Sequence, residues 1–339
     1  MPGSDTLRRF STFLALALGL GLGLGLLLHV GLERVIGLLL HARWWLAGVL
    51  VLHMVQIALT AAAWRTVARP NVPSFRVFVL ARWLREGVNS LLPVLPVAGP
   101  LAAIRVLIRN GLVLPRAVAA TLADTTVELV TQIPFTLFGL ALLVLARGRG
   151  AVSVWMLVGL GVLCALGAML VPAQRIGLAR LAERGARKLG WAGHIDGLDT
   201  ALAHIQGQRR RLAFAAGRHL LAWMLGGLEV WIILAALGHR TGAAPSLVIE
   251  SLSHAIRGAA ILVPGALGVQ EGGLILVCGL FGVSPALGLA LSLVKRLRDA
   301  AFGVPSLALW AAMERRSRGA TVTGGRGALG WPQPGTRSG

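Results

Sequence analysis

Apolar runs recur along this chain, three in each half, and each reaches or exceeds the length that a lipid bilayer demands of a helix, about 20 residues. They cover about 10–29, 45–64, 115–146, 151–171, 213–238 and 286–313. A segment that crosses hydrocarbon must satisfy every backbone N–H and C=O from within, so runs of this kind dictate an all-α, polytopic integral membrane protein. Composition agrees: 14% of residues are charged, against about a quarter in a soluble domain. The formal net charge of +20 is no nucleic-acid signature, because the arginines gather between apolar runs and no recognition motif accompanies them. Arg8 and Arg9 before the first run, Arg65 and Arg69 after the second, and "ERRSR" after the last place both termini in the cytoplasm.

Two segments break the pattern. "SFRVFVLARWLREGVNSLLPVLPVAGPLAAIRVLIRNG" (74–111) carries Pro93, Pro96, Gly99 and Pro100 between apolar flanks, with Arg76, Arg82 and Arg85 before the break and Arg105 and Arg109 after it. The region 246–283 contains "HAIRGAAILVPGALGVQEGG", where Pro264, Gly265 and Gly268 interrupt a hydrophobic helix. Interrupted backbone at membrane depth is tolerated only beside protein or a wet cavity, so each segment reads as a pair of half-helices that dip in and return.

The two regions share an order of features. Each has a proline break, a short apolar segment, a glycine (Gly111, Gly282) and a proline opening a long helix (Pro115, Pro285). Positive-inside assignment makes the halves an inverted repeat of three transmembrane helices plus one re-entrant broken helix, as in many transporters. Repeat one covers about 10–146 and repeat two about 151–313, within a single membrane domain over 1–316. A basic cytoplasmic connector is expected over 173–212, and a Gly-rich tail, 317–339, is expected to be disordered. A plainer reading makes each broken region two ordinary kinked spans.

Charges inside the runs supply the candidate site. Thr121, Asp124, Thr125, Glu128, Thr131 and Gln132 fall on one face of the first long helix, while Lys295, Arg296, Arg298 and Asp299 sit inside the last. Charge at membrane depth is costly, so the acids of one repeat and the cations of the other are expected to neutralise each other. Two readings stay open: the pairs contact substrate, or they lock the halves together. Arg85 before the first break, and His254, Arg257, Gln270 and Glu271 around the second, complete the polar pathway. For His254 an internally hydrogen-bonded core histidine is the alternative. Neither the two cysteines nor the histidines have metal-ligand spacing, so no metal is assigned. No cofactor is expected, and no Ser–His or other catalytic constellation marks an enzyme.

"ILVPGALGVQEGGLILVCGLFGVSPALGLALSLVKRL" resembles the family named for the transmembrane region of lysylphosphatidylglycerol synthetase. Gly265, Gly268, Val269, Gln270, Glu271 and Gly272 answer its "GGLGVRE"-like motif. Gly282, Val283, Ser284, Pro285 and Arg296 answer its "LLGVSPxxALALSLLxR". Ala266 and Gln270 depart from the usual glycine and arginine, and the missing arginine removes an anion contact there. In the first half, Asp124, Glu128, Thr131 and Gln132 resemble a narrower branch of hopanoid-biosynthesis-associated membrane proteins, while Gly99-Pro100-Leu101 departs from its glycine-glycine-glutamate. The resemblance implies a flippase-like lipid transporter of a bacterial inner membrane, with hopanoid or anionic phospholipid as cargo and lipid-biosynthesis enzymes as further partners.

Overall fold

A computed structural model describes residues 45–91, 98–148, 197–259 and 269–323, with a few isolated positions between 150 and 165. The first span, most of the span at 151–171, residues 173–196 of the connector and residues 324–339 lie outside the described residues. So do Pro93, Pro96, Pro264, Gly265 and Gly268.

The described residues are all-helical, with no strand among them. In chain order the helices are α1 (Trp45–Ala68), α2 (Phe75–Leu91), α3 (Ala98–Arg109), α4 (Leu114–Arg147), α5 (Leu198–Gly207), α6 (Arg209–Ala236), α7 (Ala243–Ala259), α8 (Val269–Gly279) and α9 (Pro285–Thr323). Three are long and apolar enough to cross a membrane: Ala47–Ala68 of α1, α4 and α6. Val51, Met54 and Val55 stand exposed on α1, as do Val130, Leu137, Phe138 and Leu145 on α4. Steps of three, four and seven keep such residues on one helical face, and an apolar outer face suits lipid.

In each interrupted segment two helices are described, α2 and α3 in the first and α7 and α8 in the second. Within each pair the arms pack against each other. Both first arms, α2 and α7, have 17 residues. Gly99, expected within the first break, instead lies with Pro100 in the opening turn of α3. Proline is tolerated there because a first-turn N–H has no helical acceptor. Asn89 of α2 accepts a hydrogen bond from the Gly99 N–H at 3.2 Å, so the end of one arm caps the start of the other.

The joints into the long helices repeat one local structure. Gly111 (φ 93°) and Gly282 (φ 76°) both adopt the left-handed conformation that ends a helix cheaply only at glycine. The next N–H reaches back five residues in each: Leu112 to Leu107 O at 3.1 Å, and Val283 to Cys278 O at 3.2 Å. α9 continues to Thr323, past the expected end near 313 and into the tail expected from 317. Part of the expected connector is ordered too, as α5 and the start of α6.

The chain divides into two compact units. The Trp64 unit takes Ile57–Leu129, Gly167–His219 and Asp299–Gly339; the Trp223 unit takes Met1–Gln56, Val130–Leu166 and Leu220–Arg298. In the Trp64 unit, Trp64 meets Phe78 edge to face at 5.7 Å between ring centroids, over a core that includes Leu84, Leu107 and Leu202. Small residues (Ala103, Ala117, Ala119, Ala120) let backbones approach there, the usual source of packing between membrane helices. In the Trp223 unit, Ile233, Leu234, Ile249, Leu252 and Leu291 form the core. The α7 helix lies so close that a side chain at Gly139 would meet Ser251, and one at Gly226 would meet Glu250.

Candidate functional site

Charge is buried in both units, and in each it is organised around the first arm of a hairpin and a long helix. In the Trp64 unit, Arg82 and Arg85 lie three residues apart on α2, while Asp124 and Glu128 lie four apart on α4. Both spacings put their pair on one helical face. Arg82 grips Glu128 with both terminal nitrogens, at 2.9 and 2.5 Å. Arg85 bridges the acids, reaching Asp124 Oδ2 and Glu128 Oε2 at 2.9 Å each. His219 of α6 bonds the other oxygen of Asp124 through Nε2 at 3.0 Å. Asp124 is fully buried, and Arg82, Arg85 and His219 are nearly so. The Arg85 guanidinium also lies 5.8 Å from the centre of the Trp64 ring.

In the Trp223 unit three cations close together on α9 reach acids on three helices. Lys295 pairs with Glu250 of α7, Arg296 with Glu271 of α8, and Arg298 with Glu229 of α6. Successive helical residues turn by about 100°, so neighbouring positions can serve different partners. Glu271 is in the first turn of α8, where the helix dipole favours an acid. Gln56 donates to Glu229 at 3.4 Å, and His53 Nδ1 lies 3.0 Å from the Gln56 side-chain oxygen. His254 bonds Glu250, one turn back on its own helix, at 3.2 Å. Its ring stands edge to face with Trp223 at 4.7 Å.

Most of the expected residues therefore gather into two networks. Arg85, Asp124 and Glu128 come together directly, and His254 and Lys295 meet through Glu250. Gln132 and Asp299 are half-buried. Gly99, as noted above, belongs to α3. The side chains of Arg257 and Gln270 lie outside the described residues. Neutralisation between the acids of α4 and the cations of α9 is not needed to account for their burial, because each has a partner in its own unit: Arg82, Arg85 and His219 for the acids, Glu250, Glu271 and Glu229 for the cations. Arg82 stands among the basic residues that flank the first break, yet it is buried within the network. His219, Glu229 and Glu250 were passed over, although each is an ionisable residue in an apolar segment, which is itself a functional signal in a membrane chain.

A helical membrane protein with interrupted hairpins and buried ion-pair networks is the class these features define. The family described as the lysylphosphatidylglycerol synthase TM region matches residues 13–305, and this chain belongs to that family. The match is to a transmembrane region related to lipid synthesis and flipping, and it does not assign the hopanoid branch. Searches of curated proteins and of solved structures found no match.

Proposed function

We propose that the chain is a lipid translocase of a bacterial inner membrane, with both termini cytoplasmic, that moves a polar headgroup past its buried charges while the acyl or ring portion stays in lipid. The observation that carries this reading is the pair of buried networks, each linking the first arm of a hairpin to a long helix that begins at a proline-opened joint. Intramembrane charge is too costly to keep without use, and interrupted helices are where transporters bind polar cargo. Family membership supports the same reading, since the family is tied to lipid synthesis and flipping. The hairpins enter from opposite faces in this proposal, as halves of an inverted repeat. Cargo is an anionic phospholipid or a hopanoid with a polar head, the second resting only on the likeness of Asp124, Glu128, Thr131 and Gln132 to the hopanoid-associated branch.

Purified protein in vesicles carrying labelled phosphatidylglycerol, or a labelled polar hopanoid, measures exchange between leaflets. Asp124→Asn, Glu128→Gln and Arg298→Ala are each expected to slow exchange at least about tenfold, the effect of roughly 1.4 kcal/mol on a barrier. Unchanged exchange in all three contradicts the role given to the charges.

A further inference from the structure

The two units contain the same three-part arrangement, although its members come from different helices. Asp124 divides its carboxylate between His219 Nε2 on Oδ1 (3.0 Å) and Arg85 on Oδ2 (2.9 Å). Glu250 divides its own between His254 Nε2 on Oε1 (3.2 Å) and Lys295 on Oε2. Each is a buried carboxylate with a permanent cation on one oxygen and an imidazole on the other. An ionised carboxylate only accepts hydrogen bonds, so Nε2 must carry the hydrogen in both contacts. At His219 the remaining nitrogen, Nδ1, is buried and makes no hydrogen bond, which leaves a lone pair able to take a proton.

We propose that His219 and His254 are proton-binding sites, and that a proton taken from water by each makes lipid movement dependent on proton concentration. The dependence rests on the translocase reading; the proton binding does not. One N–H bond forms and no electrons are transferred. Once the imidazole is charged, each carboxylate faces one cation more than before: Asp124 already has Arg85 at 2.9 Å and Arg82 at 3.7 Å, and Glu250 has Lys295. Its hold on Arg85, which Glu128 also keeps, or on Lys295 is then weakened, and the loosened cation can take an anionic headgroup. The same event loosens α2 from α4 in one unit and α7 from α9 in the other.

The surroundings suit this role. His219 touches an acid directly, and the other charged groups of its network are Glu128, Arg82 and Arg85, with Glu86 3.7 Å from Arg82. Among the described residues, Glu250 of α7 bonds His254 and Lys295 of α9 holds the other oxygen of that carboxylate, while α6 contributes Trp223, its ring steeply inclined to the imidazole at 4.7 Å. Imidazole is also the one side chain whose ordinary charge change falls in the physiological range.

The test uses full-length protein with labelled histidines in phosphatidylglycerol-containing nanodiscs and vesicles, compared with His219→Gln and His254→Gln. Glutamine keeps an N–H for the carboxylate but cannot take the proton, so a purely structural role survives the change. Ring-nitrogen NMR signals of His219 and His254, assigned by their loss in the variants, are expected to pass from the singly to the doubly protonated pattern as the sample is taken from an alkaline to an acidic buffer. Lipid exchange should rise several-fold over that range in the wild type and stay flat in the double variant. Imidazoles that keep one protonation state overturn the proposal, as does exchange in the double variant with the wild-type pH response. Titrating imidazoles with no lipid movement at any pH overturn the translocase reading and leave the proton sites standing.

Discussion

Arg85 is the tighter of two links between the acids of the Trp64-unit network: it reaches both at 2.9 Å, whereas Arg82 grips Glu128 and stands 3.7 Å from Asp124. The planar guanidinium of Arg85 spans Asp124 and Glu128 at once and lies 5.8 Å from the centre of the Trp64 ring. Removing one partner of a buried pair strands the other in low dielectric, at a cost of about 3–5 kcal/mol. Arg85→Met is therefore expected to lower the unfolding midpoint in detergent clearly. Arg85→Met with Asp124→Asn should recover part of the loss, because the stranded acid is gone. A double variant as unstable as the sum of the two singles contradicts this, since it removes the coupling. At this scale the sequence showed which residues were out of place in lipid and not whom they would meet. Asp124 and Glu128 are conspicuous on an apolar helix, but their partner Arg82 looks like an ordinary positive-inside flank, and His219 is a lone histidine within the apolar run that begins at 213. Pairing is a tertiary fact, and no spacing along the chain encodes it.

Elements were more legible, because their ends depend on local backbone chemistry. Pro115 and Pro285 open α4 and α9 for the reason any proline suits a helix start, and Gly111 and Gly282 close the preceding arms in the left-handed conformation. Composition is a poor guide to the end of α9 and the start of α3. "ERRSR" reads as a cytoplasmic stop, yet arginine and alanine sustain a helix well, so α9 runs on to Thr323. Pro100 reads as a breaker, yet a first-turn proline breaks nothing. Close packing between elements gives a separate prediction. A Cβ at Gly226 would stand 2.8 Å from Glu250 Oε1, whereas one at Gly48 would meet nothing within 4 Å. Gly226→Val is expected to push Glu250 off Lys295, lowering both the unfolding midpoint and lipid exchange, while Gly48→Val leaves both near wild type. Equal tolerance of the two substitutions contradicts the close approach of α6 and α7.

For the whole molecule, composition and run length were enough to fix the class: an all-helical membrane chain, now within a family defined by a transmembrane region. The inverted repeat is a proposal, supported by a few recurring local features. α2 and α7 match in length, both joints share the glycine turn, and both units hold a carboxylate divided between imidazole and cation, with the buried charge of the first arm basic in one (Arg82) and acidic in the other (Glu250). The translocase reading depends on both hairpins turning back within the bilayer, and single cysteines at Leu95 and Leu267 test that directly. Labelled from either side of sealed vesicles, Leu95→Cys should react only from the cytoplasmic face and Leu267→Cys only from the opposite one. If each instead reacts from the far side, the segments are continuous crossings and the account is wrong.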